Sequence, residues 1–142
     1  MIFIEIIPNL YIGNHEITKN INNLNINYII NCIKDLHFLG NFENYKFQIK
    51  DNLEKYEIVK LYEYINETTD YIYKNLLKDK SICVYCETGN QKSALVICAY
   101  LIKYGKISKL DAIKSLRTKH QTAFYPEINF GIVLDMFENK FI

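Results

Sequence analysis

The residues best suited to do chemistry lie in one short polar stretch, Cys86-Glu-Thr-Gly-Asn-Gln-Lys-Ser93. This stretch follows an apolar run of strand-forming residues, Ile82 to Tyr85, and a helical pattern begins directly after it near Ala94. A strand that turns through glycine into a helix directs successive backbone N–H groups into one concave loop, and the helix N-terminus adds partial positive charge. A cysteine in such a setting ionises readily, and its thiolate is a nucleophile. The stretch therefore predicts an oxyanion cradle with Cys86 as its nucleophile.

Patterns of strands alternating with helices surround this loop and must position it. Apolar runs predict strands over residues 2–7, 10–12, 26–32, 45–49 and 82–85. Helical spacing predicts helices over 17–24, 55–77 and 94–104, and two more that begin near 108 and 126. Asn14 and Ser108 are expected to cap helix N-termini, Gly105 to cap the C-terminus of the third helix, and Pro126 to lie in the first turn of the last. With 142 residues, the chain is expected to form one α/β domain over residues 1–142.

Composition excludes several classes of partner. Lys and Arg number 17 against 16 Asp and Glu, a net charge of +1, so no global field attracts nucleic acid or an anionic membrane. No apolar run approaches the roughly 18 residues of a membrane helix. The sequence therefore predicts neither nucleic acid nor a membrane as partner. The heavy use of isoleucine, asparagine, lysine and tyrosine is typical of an AT-rich genome, such as that of a large DNA virus or a protozoan.

Cysteines and histidines give no metal-binding pattern, so we predict neither a metal site nor a cofactor. The four cysteines are Cys32, Cys83, Cys86 and Cys98, and the three histidines, expected at the surface, are His15, His37 and His120. Cys83 and Cys98 fall in apolar patterns typical of buried thiols. The spacing of Cys83 and Cys86 also allows a redox pair, which we consider the weaker alternative. Unpaired thiols favour a reducing compartment, so the expected location is the cytoplasm, or the cytosol or nucleus of a host cell.

The polar loop resembles the signature His-Cys-x-x-Gly-x-x-Arg-Ser/Thr of the cysteine-dependent protein tyrosine phosphatases. The similarity extends along nearly the whole chain and points to the compact dual-specificity branch. The segments that carry it outside the loop are Leu10–Asn14, Tyr28–Asn31, Phe47–Asn52, Ala99–Ile102, Asp111–Ile113 and Pro126–Phe130. The resemblance implies a central, mostly parallel twisted sheet of about five strands, flanked by about five or six helices.

The resemblance also implies roles for particular residues. Cys86 would attack phosphorus, Asp51 would protonate the leaving oxygen, and Ser93 would help the thiolate leave in the second step. The loop that binds the phosphate would consist of Glu87, Thr88, Gly89, Asn90, Gln91 and Lys92. Asp51 has an alternative reading, because Asp-Asn after a strand is also common turn chemistry.

The sequence departs from the signature at two positions: Tyr85 replaces the histidine before the cysteine, and Lys92 replaces the arginine. A guanidinium binds two phosphoryl oxygens at once, whereas an ammonium is a point charge on a flexible stem. Losing one preorganised oxyanion donor typically costs ~10²–10³ in rate. Glu87 adds negative charge beside the nucleophile. Weak or absent protein phosphatase activity is therefore expected.

The leading hypothesis is a catalytically impaired phosphatase, or pseudophosphatase, that binds a phosphorylated protein or a signalling partner. The first alternative is an active, slow tyrosine/serine/threonine phosphatase that works through a phosphocysteine at Cys86. A second alternative, an RNA 5′-phosphatase or a phosphoinositide phosphatase on the same fold, calls for a more basic pocket than one lysine provides. The expected ligand is a phosphoprotein or a phosphate-like anion, and assembly as a homodimer stays open.

Overall fold

The computed structural model describes residues 1–32, 43–46 and 55–142, with 43–46 and 55–57 as backbone. Five strands are described: β1 Phe3–Ile7, β2 Leu10–Gly13, β3 Tyr28–Asn31, β4 Glu43–Lys46 and β5 Ile82–Tyr85. The α-helices are α1 Lys55–Leu76, α2 Lys92–Gly105, α3 Lys109–Lys119 and α4 Gly131–Phe141. Asp51 lies outside the described residues, as does most of the strand predicted over 45–49. No helix in the described ranges is long and apolar enough to cross a membrane.

The five strands form one sheet in the order β1-β2-β5-β3-β4. Among the described strands, only β1 pairs antiparallel, with β2, and the other three pairings are parallel. β5 is the central strand and all four of its residues are buried, as expected for a continuous apolar run in a parallel sheet. The chain therefore leaves β5 at the middle of the sheet edge, where the carboxyl ends of parallel strands meet. This confirms the predicted mostly parallel α/β fold.

The two faces of the sheet carry separate apolar clusters. Cys83 and Tyr85 lie in a small cluster with residues of the 15–29 segment. Val84 and Cys86 lie in the large cluster that includes α2 and α4. This split follows from the alternation of side chains along a strand. Cys83 and Cys86 thus lie on opposite faces and are both free thiols, which excludes the redox pair that was the weaker alternative. Cys83 and Cys98 are buried free thiols, as predicted.

The first predicted helix, over 17–24, does not form as an α-helix. The predicted helix over 17–24 consists of two 3₁₀ segments, His15–Lys19 and Ile21–Asn23. The asparagines in this segment are poor helix formers, because their side chains compete for backbone groups. The predicted cap is present nevertheless: Asn14 Oδ1 accepts a hydrogen bond from the Glu16 N–H at 3.2 Å. Four α-helices are described in place of the five or six expected.

The ends of α2, α3 and α4 show where short-range signals succeed and fail. Ser108 caps α3 as predicted, since its hydroxyl accepts from the Asp111 N–H at 3.1 Å. Gly105 is the last residue of α2, and the left-handed capping position is Lys106, with φ 57°. Pro126 is not in a helix: α4 begins at Gly131, and Pro126 lies in a bend, preceded by a cis peptide bond. The inward-facing positions of α4 are buried: Val133, Leu134 and Phe137.

Candidate active site

The predicted nucleophile lies directly after β5, at the entrance to the loop. Cys86 is 3% exposed, and its N–H donates to the Gly13 carbonyl of the neighbouring strand at 3.3 Å. Its Sγ accepts the Gly89 N–H at 3.2 Å and lies 3.1 Å from the Ser93 hydroxyl oxygen. These two contacts hold the sulfur at the entrance of the loop, between the Gly89 N–H and the Ser93 hydroxyl. The structure thus brings Cys86 and Ser93 together, as predicted.

The loop requires glycine at its tightest point. Gly89 has φ +77°, in the left-handed region where side chains are strained. A Cβ at this position would lie 3.2 Å from the Gly13 carbonyl oxygen and 3.4 Å from Asn14 Cβ. The loop therefore packs closely against the end of β2, and this contact places the Gly89 N–H on the sulfur.

Carbonyl groups of the loop point outward, into the surrounding protein. The Glu87 carbonyl accepts two hydrogen bonds from His15, from its backbone N–H at 3.1 Å and from its ring Nδ1 at 2.7 Å. The Gly89 carbonyl accepts from His120 Nε2 at 2.8 Å. The Asn90 carbonyl accepts from the Phe124 N–H at 2.6 Å. In a trans peptide unit the C=O and the next N–H point in opposite directions. The N–H groups of Thr88 and Gln91 are therefore directed away from these partners, toward the concave side. Such convergent N–H groups make an anion-binding concavity.

Two side chains of the loop tie it to residues 120–130, here called the α3–α4 connection. Asn90 Oδ1 accepts from the Thr122 hydroxyl at 2.9 Å. Gln91 Nε2 donates to the carbonyls of Tyr125 at 3.3 Å and Glu127 at 2.8 Å, and its Oε1 accepts from an N–H of the same connection at 3.3 Å. These side chains are engaged in holding the loop, so we expect the backbone, and not these two side chains, to contact an anion.

Lys92 is the first residue of α2 and is half-buried. The N–H groups of a first helical turn have no partners within the helix, and they add positive potential at this end. Burial raises the pKa of the nearby Cys32 well above its ordinary value, Cys86 raises it further, and Lys92 opposes both. The ammonium of Lys92 is therefore close enough to act electrostatically on the Cys32 thiol.

Cys32 was not among the predicted site residues, although the sheet register places it beside the nucleophile. Asn31 is the register partner of Tyr85, and the Cys32 N–H donates to the Tyr85 carbonyl at 3.0 Å. Cys32 and Cys86 are thus the next residues of two paired strands, and both belong to the large cluster. Knowing the strand pairing would have been enough to find this neighbour.

Tyr85, at the position of the signature histidine, is fully buried in the small cluster on the other face of the sheet from Cys86. Burial raises the pKa of its phenol above the ordinary value. Glu87 and Thr88, by contrast, are exposed at the mouth of the loop. The residue before the nucleophile therefore packs the sheet, and the residues after it face solvent.

Two histidines that contact the loop were missed as functional residues. His15 is exposed, as predicted, but His120 is 3% exposed and its predicted surface position is wrong. His15 could have been found from its position just after β2. β2 is a parallel neighbour of β5, so both strands end at the same edge of the sheet, where the loop begins. His120 follows α3 and reaches Gly89 across 31 positions of sequence, a contact that no local pattern reveals.

Comparisons with known proteins show which family this chain is similar to. The family model described as "Dual specificity phosphatase, catalytic domain" matches residues 10–140. "Putative tyrosine phosphatase 123R" of Invertebrate iridescent virus 6 is 28% identical over 137 residues, which are 94% of this chain and 90% of the viral protein. Dual specificity protein phosphatase 9 of Homo sapiens is 29% identical over 140 residues, which are 93% of this chain but 35% of the human protein.

Among solved structures, human DUSP28 is similar in fold, with a TM-score of 0.82 at 17% identity. The similarity covers 97% of this chain and 93% of that one. The chain thus spans nearly all of the viral relative and of this structure, but only about a third of the human phosphatase 9.

Proposed function

This chain belongs to the dual specificity phosphatase family, and from that premise we propose that it is a catalytically impaired member that binds phosphorylated proteins. The loop after β5 would accept the phosphate group, and turnover would be slow enough that binding is the main activity. The observation that carries the proposal is an intact loop around Cys86 that has Lys92 at the arginine position.

Binding is supported by how the loop is built. Three carbonyls are held outward by protein donors, so the N–H groups of Thr88 and Gln91, which share peptide units with two of them, are directed inward. The N-terminus of α2 adds partial positive charge at the same point. A phosphate monoester carries negative charge on its three free oxygens and matches this set of donors.

Impairment is supported by the chemistry of Lys92. In phosphoryl transfer the charge spreads over three equatorial oxygens, and catalysis depends on positioned positive charge and hydrogen-bond donors. A lysine satisfies one oxygen, whereas a guanidinium fork satisfies two at fixed geometry. The missing donor corresponds to ~10²–10³ in rate, or about 3–4 kcal/mol of transition-state stabilisation. Ground-state binding suffers less, because the backbone N–H groups do not change.

A second candidate, a slow but working phosphatase, is favoured by the contact between Cys86 Sγ and the Ser93 hydroxyl. In this reaction the thiolate forms a bond to phosphorus as the bond to the leaving oxygen breaks. The leaving oxygen takes a proton from an acid, for which the family resemblance suggests Asp51. Water then attacks the phosphocysteine, releasing inorganic phosphate, and the Ser93 hydroxyl stabilises the departing sulfur anion.

Hydrolysis of an aryl phosphate separates the two candidates. We would compare the wild type with Cys86→Ser and Lys92→Arg, using Lys114→Arg, an exposed lysine of α3, as the matched control. For an impaired phosphatase, Lys92→Arg raises turnover by a factor on the order of 10² and the control changes nothing. Substantial wild-type turnover that Cys86→Ser abolishes would replace the impaired phosphatase by the slow enzyme.

Phosphopeptide binding tests the remaining part of the proposal. We propose a protein ligand, because the net charge of +1 gives no general attraction to RNA or to anionic lipid. The proposed location is the cytosol, because unpaired thiols favour a reducing compartment. A phosphotyrosine peptide should bind the Cys86→Ser variant at least about tenfold more tightly than the same peptide without phosphate. Equal affinity for the two peptides would refute phosphate recognition and leave a docking role that does not depend on phosphate.

A further inference from the structure

Two histidines from distant parts of the chain hold the carbonyls that give the loop its shape. His15 Nδ1 lies 2.7 Å from the Glu87 carbonyl oxygen, and His120 Nε2 lies 2.8 Å from the Gly89 carbonyl oxygen. A carbonyl oxygen only accepts, so the ring nitrogen in each pair carries the proton. His15 therefore has a proton on Nδ1 and His120 has one on Nε2.

These contacts act on the peptide units that turn through the loop. The Glu87 carbonyl belongs to the peptide unit that carries the Thr88 N–H. The Gly89 carbonyl belongs to the unit that carries the Asn90 N–H, which donates to Thr88 Oγ1 at 3.1 Å. Rotating either peptide unit would turn a carbonyl oxygen toward the bound anion. In the first unit it would also turn the Thr88 N–H away from the anion, and in the second it would break the hydrogen bond to Thr88 Oγ1. The ring donors oppose that rotation, because it would break a hydrogen bond at each histidine.

We propose that His15 and His120 are positioning residues that fix the loop peptides in the orientation that binds an oxyanion. Neither ring is assigned contact with the substrate, and both act through the loop backbone. The inference rests on the proposed oxyanion site, and it adds residues that lie outside the signature stretch Cys86–Ser93.

The two histidines should differ in importance. His120 is 3% exposed, so without its ring the Gly89 carbonyl would be left buried without this donor. His15 is exposed, and its backbone N–H also donates to the Glu87 carbonyl, at 3.1 Å. Removing the His15 ring thus leaves one donor in place. We expect a large effect at position 120 and a small one at position 15.

The test compares removal of the ring donor with its replacement. At position 120, leucine removes the donor, and glutamine presents an amide Nε2–H at a similar reach. Position 15 is treated in the same way with leucine and asparagine, whose Nδ2–H stands in for Nδ1–H. Gln121→Leu, on the exposed neighbour of His120, is the matched control. Tungstate affinity is measured by calorimetry on the full chain, and circular dichroism confirms folding.

We expect His120→Leu to weaken tungstate binding about tenfold and His120→Gln to recover most of that loss. His15→Leu should weaken binding about threefold, and His15→Asn should restore it. A folded His120→Leu variant with wild-type affinity would overturn the proposal, as would a glutamine variant as weak as the leucine one. If His120→Leu does not fold, the His15 pair decides in the same way.

Histidine tautomers, measured by nitrogen NMR at about pH 8.5, where histidines are normally neutral, give a readout independent of tungstate. The wild type should show Nε2–H at His120 and Nδ1–H at His15, and the opposite tautomers would overturn the proposal. A wild type that has these tautomers but does not bind tungstate would refute the proposed function, while the histidine contacts would stand.

Discussion

Replacing Gly89 by alanine tests whether the loop needs its left-handed turn and its close approach to β2. At φ +77° a residue other than glycine costs ~1–2 kcal/mol. The new Cβ would lie 3.2 Å from the Gly13 carbonyl oxygen, a backbone atom that cannot rotate away. Relieving that contact moves the loop or the strand and adds about 1 kcal/mol, the low end of the cost of overpacking. The substitution should therefore lower the free energy of unfolding by about 2–3 kcal/mol.

The chain offers a matched control in Gly105, the last residue of α2. A Cβ there meets nothing within 4 Å, and its φ is not in the left-handed region. Alanine in a helix is favoured over glycine by up to about 1 kcal/mol, so Gly105→Ala should be neutral or stabilising. Urea unfolding of the wild type and both variants gives the two free-energy differences under identical conditions.

Function should respond to Gly89→Ala along with stability. The Gly89 N–H donates to Cys86 Sγ at 3.2 Å, and the Gly89 carbonyl accepts from His120, so a displaced loop loses alignment at both ends. We expect tungstate affinity to fall at least about tenfold. If Gly89→Ala unfolds at the same urea concentration as Gly105→Ala and binds tungstate like the wild type, the strain and close-packing argument is refuted.

Three further changes test other contacts of the site and of the core. Ser93→Ala removes the hydroxyl whose oxygen lies 3.1 Å from Cys86 Sγ. Alkylation of that sulfur by iodoacetamide should then slow about fivefold in a folded variant, and an unchanged rate would contradict the contact. Gln91→Leu breaks three hydrogen bonds to the α3–α4 connection, so it should lower the free energy of unfolding by about 1–2 kcal/mol and speed amide hydrogen exchange in that connection. Unaltered exchange would show that other contacts hold the connection in place. Partial burial raises the pKa of Asp70, but hydrogen bonds, chiefly from Lys103 at 2.6 Å, outweigh it and leave the pKa below its ordinary value. The stability from this carboxylate is therefore fully present above an unfolded-state pKa of about 3.9 and is lost as pH falls through the lower folded value. Because Asp70 is 54% exposed, solvent screening limits the loss to less than about 1 kcal/mol. Acid titration of unfolding should show a smaller loss below about pH 4 in Asp70→Asn than in the wild type, and equal losses would exclude this linkage.

The central part of the site was predictable from sequence, because it is encoded by neighbouring residues. Four apolar residues predict β5 at its observed bounds, Ile82–Tyr85, and one glycine before a helical pattern predicts the turn. Cys86 and Ser93 are seven positions apart, so one strand–turn–helix unit is enough to bring them together. The parallel sheet followed from the alternation of strands and helices.

What the sequence did not predict depends on contacts between distant segments. His120 ends α3, and only the packing of that helix brings its ring to the Gly89 carbonyl. Pro126 was expected in a helix, because proline is common in first turns. The α3–α4 connection is instead tied to the loop by Gln91, and α4 begins at Gly131. Proline does favour the first turn of a helix, but in this chain hydrogen bonds from Gln91 hold the α3–α4 connection in a non-helical conformation.

The origin of the loop's shape gives a physical reason for the proposed separation of phosphate binding from catalysis. The outward carbonyls are held by donors from the segment after β2 and from the α3–α4 connection, both outside the stretch Cys86–Ser93. In the proposed function, the charge that would stabilise the transferring phosphoryl group comes instead from the side chain at position 92. A change at that position would alter this cation but leave the donors at His15, His120 and Phe124 in place. On this proposal Lys92→Arg should raise turnover without changing the conformation of the loop.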